Sequence, residues 1–185
     1  MSHSVHLSLI LALLASACSD DDARAVVPDA GDSPPAASAL DGCERDELES
    51  DLQSMPFVGP GVRDGAIERG EYLMATTYLR LRADQSALFQ QLVGPVIADI
   101  TTRSGLVALS TARSMQCGTA RTLTVWRDEA SMLEFVVGEA HGKAMESIHD
   151  LSRGGSVTAH WTGDQAAATW DAAAEHLATT DRPEY

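Results

Sequence analysis

His141, Met145 and His149 recur at intervals of four residues, which places all three on one face of a helix. Imidazole nitrogen and thioether sulfur together suit a soft metal such as copper. A third strong ligand is not evident beside them and no C-x-x-C pair occurs, so no metal is expected and zinc is disfavoured. His160 beside Trp161 reads as a sheet histidine rather than a general base. Serine, histidine and aspartate are all present, yet no G-x-S-x-G elbow occurs, which leaves hydrolase chemistry without support. Gly59-Pro60-Gly61 is a loop signal, too weak for a phosphate site.

These residues need elements to hold them. Thr122, Thr124 and Trp126 alternate with Leu123 and Val125, the period of a half-buried strand. Asp128 then predicts a helix cap, and Glu129 adds negative charge at the positive end of the helix dipole. One long helix over 129–153 is expected, ended by Gly154-Gly155, with Leu133, Val136, Val137, Ala140, Ala144, Ile148 and Leu151 facing the core. Residues 72–82 read as a strand, and 84–103 as a helix kinked or broken near Gly94 by Pro95 and stopped by Gly105. Residues 106–116 and 120–128 read as strands joined by a turn at Cys117-Gly118-Thr119. A fourth strand over 157–162 and an extra C-terminal helix over 164–178, carrying Trp170 and Leu177, complete the order βαββαβ plus a helix. That order predicts an α+β domain.

The chain has 185 residues, of which 44% are hydrophobic, enough for one domain with a core and something over. The surplus is N-terminal. Residues 1–18 carry no acid, lysine or arginine, and the apolar run 5–17 ends in Ala15-Ser16-Ala17-Cys18. This run is shorter than the roughly 20 apolar residues that cross a bilayer, and reads as a signal peptide. Small residues before Cys18, followed by Ser19 and three aspartates, resemble the lipobox of bacterial lipoproteins. The resemblance implies that Cys18 is lipidated and anchors the mature protein to the cell envelope.

Three cysteines make an odd number for an exported chain until one is assigned to lipid. Cys43 and Cys117 then remain, either bridged in an oxidising compartment or as two thiols. Residues 19–54 are rich in Asp, Ala, Pro and Ser, and read as an acidic tether ahead of a domain over 55–185. With eleven acids against Arg24 and Arg45, the tether carries −9 of the net −14 and leaves −5 for the domain. The chain has a single lysine, Lys143, and no basic patch, so nucleic acid is not an expected partner.

TLTVW at 122–126, the acidic cap, EFVVGEAHGKAM at 134–145 and the late Ala159-His160-Trp161 together resemble the antibiotic biosynthesis monooxygenase-like family, over about residues 70–163. The resemblance implies a ferredoxin-like fold, two copies pairing their sheets into a dimeric α/β barrel, and a small aromatic or apolar ligand held between sheet and helices. In haem-degrading members the functional Asn, Trp and His fall at Thr77, Phe135 and Met145 of this chain. In the cofactor-free quinol-oxidising members an Asn, a Trp and a Tyr fall at Thr122, Trp126 and Met132, so that only the Trp is kept. The chain contains no asparagine, and no shifted alignment restores one.

The implied pocket is bounded by Thr77, Thr122, Thr124, Trp126, Phe135, His141 and Met145, and requires no cofactor. For an enzyme, Trp126 would stack on the substrate, Thr122 and its fellow threonines would donate to an oxyanion, and His141 would transfer a proton. A non-catalytic binding or structural lipoprotein is the alternative.

Overall fold

Strands that are apolar on both faces build a sheet that must be covered twice. The computed structural model describes residues 43–180. The expected signal peptide, the Cys18 lipidation site and tether residues 19–42 lie outside them. In chain order the elements are β1 (Gln53–Ser54), β2 (Val62–Arg63), β3 (Ala66–Ile67), β4 (Glu71–Leu81), α1 (Ser86–Ile100), β5 (Leu106–Ser114), β6 (Thr119–Trp126), α2 (Glu129–Val136), α3 (Glu139–Glu146), α4 (Ile148–Leu151), β7 (Ser152–Asp164) and α5 (Trp170–Thr179). Short 3₁₀ turns, Ala83–Gln85 and Gln165–Ala167, lead into α1 and follow β7.

The main sheet is antiparallel in the order β1-β5-β6-β4-β7, and β2 pairs with β3 as a separate hairpin. Apart from the two-residue edge strand β1, the strands lie second, third, first, fourth. This is the ferredoxin-like βαββαβ arrangement, here with an added C-terminal helix. Among the described residues no helix is long and apolar enough to cross a membrane.

The helical region after β6 departs from the single long helix expected. Asp128 does cap α2, its carboxylate accepting from the Ser131 N–H at 2.8 Å. The helix stops at Val136, however, and Gly138 adopts extended backbone before α3 begins. A Cβ at Gly138 would lie 2.7 Å from Arg103 Nη2 and 2.9 Å from the Phe135 carbonyl oxygen, so a residue without a side chain lets the Asp99–Arg103 pair approach the helix end. The break rotates the apolar stripe. Met132 and Phe135 are buried, whereas Leu133, Val136 and Val137, expected in the core, are exposed.

A second break at Ser147 separates α3 from α4. Gly154 and Gly155 do not end a helix; they lie inside β7 with φ of 86° and 79°. There the register with β4 shifts, from Leu81 opposite Ser152 to Leu79 opposite Ser156. Positive φ at two successive residues forms this bulge, and glycine reaches it without a Cβ clash. Upstream, α1 runs unbroken through Pro95 and ends at Ile100, well before Gly105. Pro95 and Gln91 are exposed, so the backbone hydrogen bond lost at proline falls on the solvent side of the helix.

Residues 43–54, expected in the tether, belong to the domain. Cys43 is disulfide-bonded to Cys117 across 74 residues, with the Cα atoms 5.5 Å apart. The Tyr78 hydroxyl donates to the Cys43 carbonyl oxygen. Arg121 donates to the carbonyls of Glu44, Arg45 and Glu47 and lies over the Tyr78 ring at 4.5 Å. Asp51 accepts from the Ser114 hydroxyl and from the backbone N–H groups of Met115 and Gln116. Acids read as solvated charge therefore hold a strap against the sheet.

Helices α1 to α4 cover one face of the sheet. On the other face Met74, Val107, Leu123, Val125 and Trp161 form a buried cluster with Ala168 and Ala173, to which Phe57, Val62, Ile67 and Trp170 add partial cover. Leu177 of α5 is fully buried with Tyr78, Val157 and Ala159. The chain's own strap, hairpin and C-terminal helix thus cover this face.

Candidate functional site

The register of the four long strands sorts the helix-covered face into transverse rows. One row is Leu106, Trp126, Leu73 and Thr162; the next is Leu109, Thr124, Ala75 and His160. The third is Thr111, Thr122, Thr77 and Thr158, one threonine from each of four adjacent strands, and the fourth is Arg113, Ala120, Leu79 and Ser156. Directly opposed side chains in a sheet have Cβ atoms about 5 Å apart, so the third row is a continuous line of hydroxyls.

That line divides the core under the helices. On one side Leu73, Ile100, Leu106, Leu109, Trp126, Met132 and Phe135 cluster, and on the other Leu79, Leu81, Ile148 and Leu151 do. All four threonines of the row, together with Ala75 and His160, are only half-buried. The helices above them are lightly seated: α1 buries Ile100 alone, and α3 buries no residue. Solvent therefore reaches the middle of a sheet face that lies beneath helices, and this gap is the candidate groove.

The expected pocket residues separate into two groups. Thr77 and Thr122 face each other across β4 and β6 on the groove floor. His141 and Met145 are half-buried on α3. Trp126, Thr124 and Phe135 are core residues behind the groove. Trp126 is 1% exposed, donates its indole N–H to Thr124 Oγ1 at 2.8 Å, and stacks on Phe135 with ring centroids 5.6 Å apart. Thr124 in turn donates to the Ala75 carbonyl oxygen. With its polar group engaged and its ring buried, Trp126 serves here as a wall rather than an open stacking surface.

Phe135 continues the aromatic chain to His141, edge to face at 5.1 Å. Burial holds the His141 pKa below its ordinary 6.5, opposed by a hydrogen bond to the Val136 carbonyl and by the charge of Asp99. Burial therefore favours the neutral ring. His141 Nδ1 lies 2.9 Å from the Val136 oxygen, so in the neutral ring Nδ1–H donates there and Nε2 keeps a lone pair, the state of a general base. The Ser147 break takes His149 onto α4, where it is exposed, and the one-face array of His141, Met145 and His149 is not formed. Among the described residues no group of three or more His, Cys, Asp or Glu is placed to hold a metal.

Thr111, Thr158 and Arg113 were not anticipated. The hairpin places Thr111 opposite Thr122 because its turn takes four residues, 115–118; a two-residue turn at Cys117-Gly118 would have set Thr111 against Thr124 instead. Nothing local marks Thr158, whose position depends on pairing between β4 and β7. A separate cavity of about 230 Å³ lies against the strap, lined by Glu44, Arg45, Tyr78, Arg80, Gly154, Gly155 and Val157. It contains none of the expected site residues.

No family profile and no curated protein matches the chain. Solved structures do resemble it at low identity. A Mycobacterium tuberculosis protein, Rv0793, is 11% identical with a TM-score of 0.46, covering 49% of this chain and 92% of its own. A Shewanella oneidensis protein, SO0527, is 11% identical with a TM-score of 0.46, covering 62% and 99%. A protein described as an antibiotic biosynthesis monooxygenase is 11% identical with a TM-score of 0.45, covering 48% and 95%. Structural neighbours thus include antibiotic biosynthesis monooxygenase-like proteins, while the ferredoxin-like assignment rests on the strand order itself.

Proposed function

We propose that this chain is an exported, lipid-anchored protein whose groove between helices and sheet takes up a small aromatic molecule bearing hydroxyl or carbonyl oxygen. The observation that carries this reading is the line of four half-buried threonines that divides the helix-side core. A line of hydroxyls at the centre of an otherwise apolar face costs packing. A ligand with an apolar body and a polar atom offsets that cost by burying its rings against the flanking clusters and hydrogen-bonding to the row. Export and anchoring through Cys18 rest on the sequence. The Cys43–Cys117 bridge accords with an oxidising compartment.

The test is calorimetric titration of the full chain with naphthylmethanol. Binding by the native protein, weakened about tenfold or more in a Thr77→Val, Thr122→Val double variant of unchanged melting temperature, is expected from the loss of two hydrogen bonds. Equal affinity in both proteins would remove the groove reading.

A cofactor-independent monooxygenase is the second reading, favoured by the neutral His141 with its free Nε2. His141 would take a proton from a phenolic substrate, the threonine hydroxyls would donate to the oxyanion, and the carbanion would react with molecular oxygen. One oxygen atom would replace two substrate hydrogens as a carbonyl, and the other would leave as water. Oxygen uptake with a reduced polycyclic phenol, abolished by His141→Ala, distinguishes this enzyme from a binder.

A further inference from the structure

We infer that the groove is built for an anion and that Arg113 is its receptor, so that the natural ligand is an aromatic acid and not a neutral ring compound. The inference rests on the groove reading and narrows its ligand class. Arg113 lies one row beyond the threonines, two residues along β5 from Thr111, or about 7 Å at the usual strand rise. Across the four rows it is the only side chain with a permanent charge.

The surroundings of Arg113 leave that charge unmatched. Its Nε is buried without a hydrogen-bond partner. None of the four ion pairs among the described residues involves it. Its guanidinium instead lies over the Phe89 ring of α1, 5.3 Å from the centroid, an interaction that leaves the edge N–H donors of the planar group available. The contrast with Arg121 is informative: on the opposite face that arginine is fully buried, but a carboxylate and three backbone carbonyls surround it. A half-buried guanidinium beside a row of hydroxyls and engaged in none of these ion pairs matches one occupant, a ligand carboxylate. The fork of N–H groups binds it on one side, the threonine hydroxyls donate to its second oxygen, and the ligand ring packs against the apolar cluster.

The experiment compares naphthoate with naphthylmethanol, two probes of one shape that differ in charge, titrated calorimetrically into the full chain and into Arg113→Gln. The native protein is expected to prefer naphthoate by about tenfold or more, as a charge-assisted hydrogen bond implies, and Arg113→Gln to lose that preference while still binding naphthylmethanol. Equal affinity of the native protein for both probes, or an unchanged preference in Arg113→Gln, overturns the anion receptor and leaves the groove standing. Binding of neither probe removes the groove reading and this inference with it. An Arg113→Lys variant guards against misfolding: it keeps the charge without the fork, and is expected to retain part of the preference.

Discussion

Glu49 and Arg121 form an ion pair at 2.9 Å in which neither side chain is exposed. Glu49 comes from a segment whose composition reads as solvated tether, and Arg121 from the centre of the sheet. Thr119 donates its hydroxyl to the same carboxylate, so both charges are hydrogen-bonded as well as paired. Truncating one partner leaves the other buried and unmatched, which costs about 3–5 kcal/mol. Glu49→Ala is therefore expected to destabilise the protein by that amount in urea unfolding. A Glu49→Leu, Arg121→Met double variant should recover much of it, whereas a double variant no better than the single would show that the strap is held by other contacts.

The disulfide acts on the same strap. Closing a loop of 74 residues removes unfolded-state entropy worth at most about 4 kcal/mol in the chain-entropy model. Cys43→Ser, Cys117→Ser is expected to lower stability by up to that amount. Hydrogen exchange should rise first at the Asp51-bonded amides of Met115 and Gln116, because losing the bridge loosens the strap before the sheet.

His141 gives a pH dependence with a definite sign. Its pKa in the folded protein is lowered from 6.5, chiefly by burial, so the unfolded chain binds a proton more readily than the folded one. The contribution to stability is full above 6.5 and is lost as pH falls below it toward the folded value. Imidazole proton shifts should report a His141 midpoint below 6.5, and a midpoint at or above that value would remove the neutral base from the second functional reading.

Tyr78 shows the opposite sign at the alkaline end. Burial raises its pKa to about 12, against the lowering influence of Arg80 and Arg121. Stability associated with the neutral phenol is present below pH 10 and lost as pH rises through 12. An ultraviolet titration is expected to show a phenol ionising near pH 12, and Tyr78→Phe should abolish that step.

The covered sheet face makes a prediction about assembly. With α5 in place, Met74, Leu123 and Val125 are fully buried. A chain ending at Thr169 lacks α5 and uncovers part of that cluster. Sedimentation velocity is expected to show the shortened chain self-associating more strongly than the full chain.

What the sequence determined by itself is what short-range physics controls. Alternation at Thr122, Thr124 and Trp126 specified a strand, Asp128 specified the helix cap, and the succession of periods specified an α+β chain in the order βαββαβ, because each depends on neighbours a few residues away. Cys43 and Cys117 were visible as candidates, but whether they pair depends on a Cα separation no sequence contains. The rotation of the apolar stripe from Leu133 to Met132 and Phe135 accompanies a break at Gly138, where the missing side chain leaves room for Arg103 from the loop after α1. Tertiary structure alone brought Thr111, Thr122, Thr77 and Thr158 into one row, because two of those pairings join strands that are distant in the chain. It also drew Glu49 out of an acidic run and into the core, since a carboxylate leaves water only where a partner such as Arg121 is already held in place.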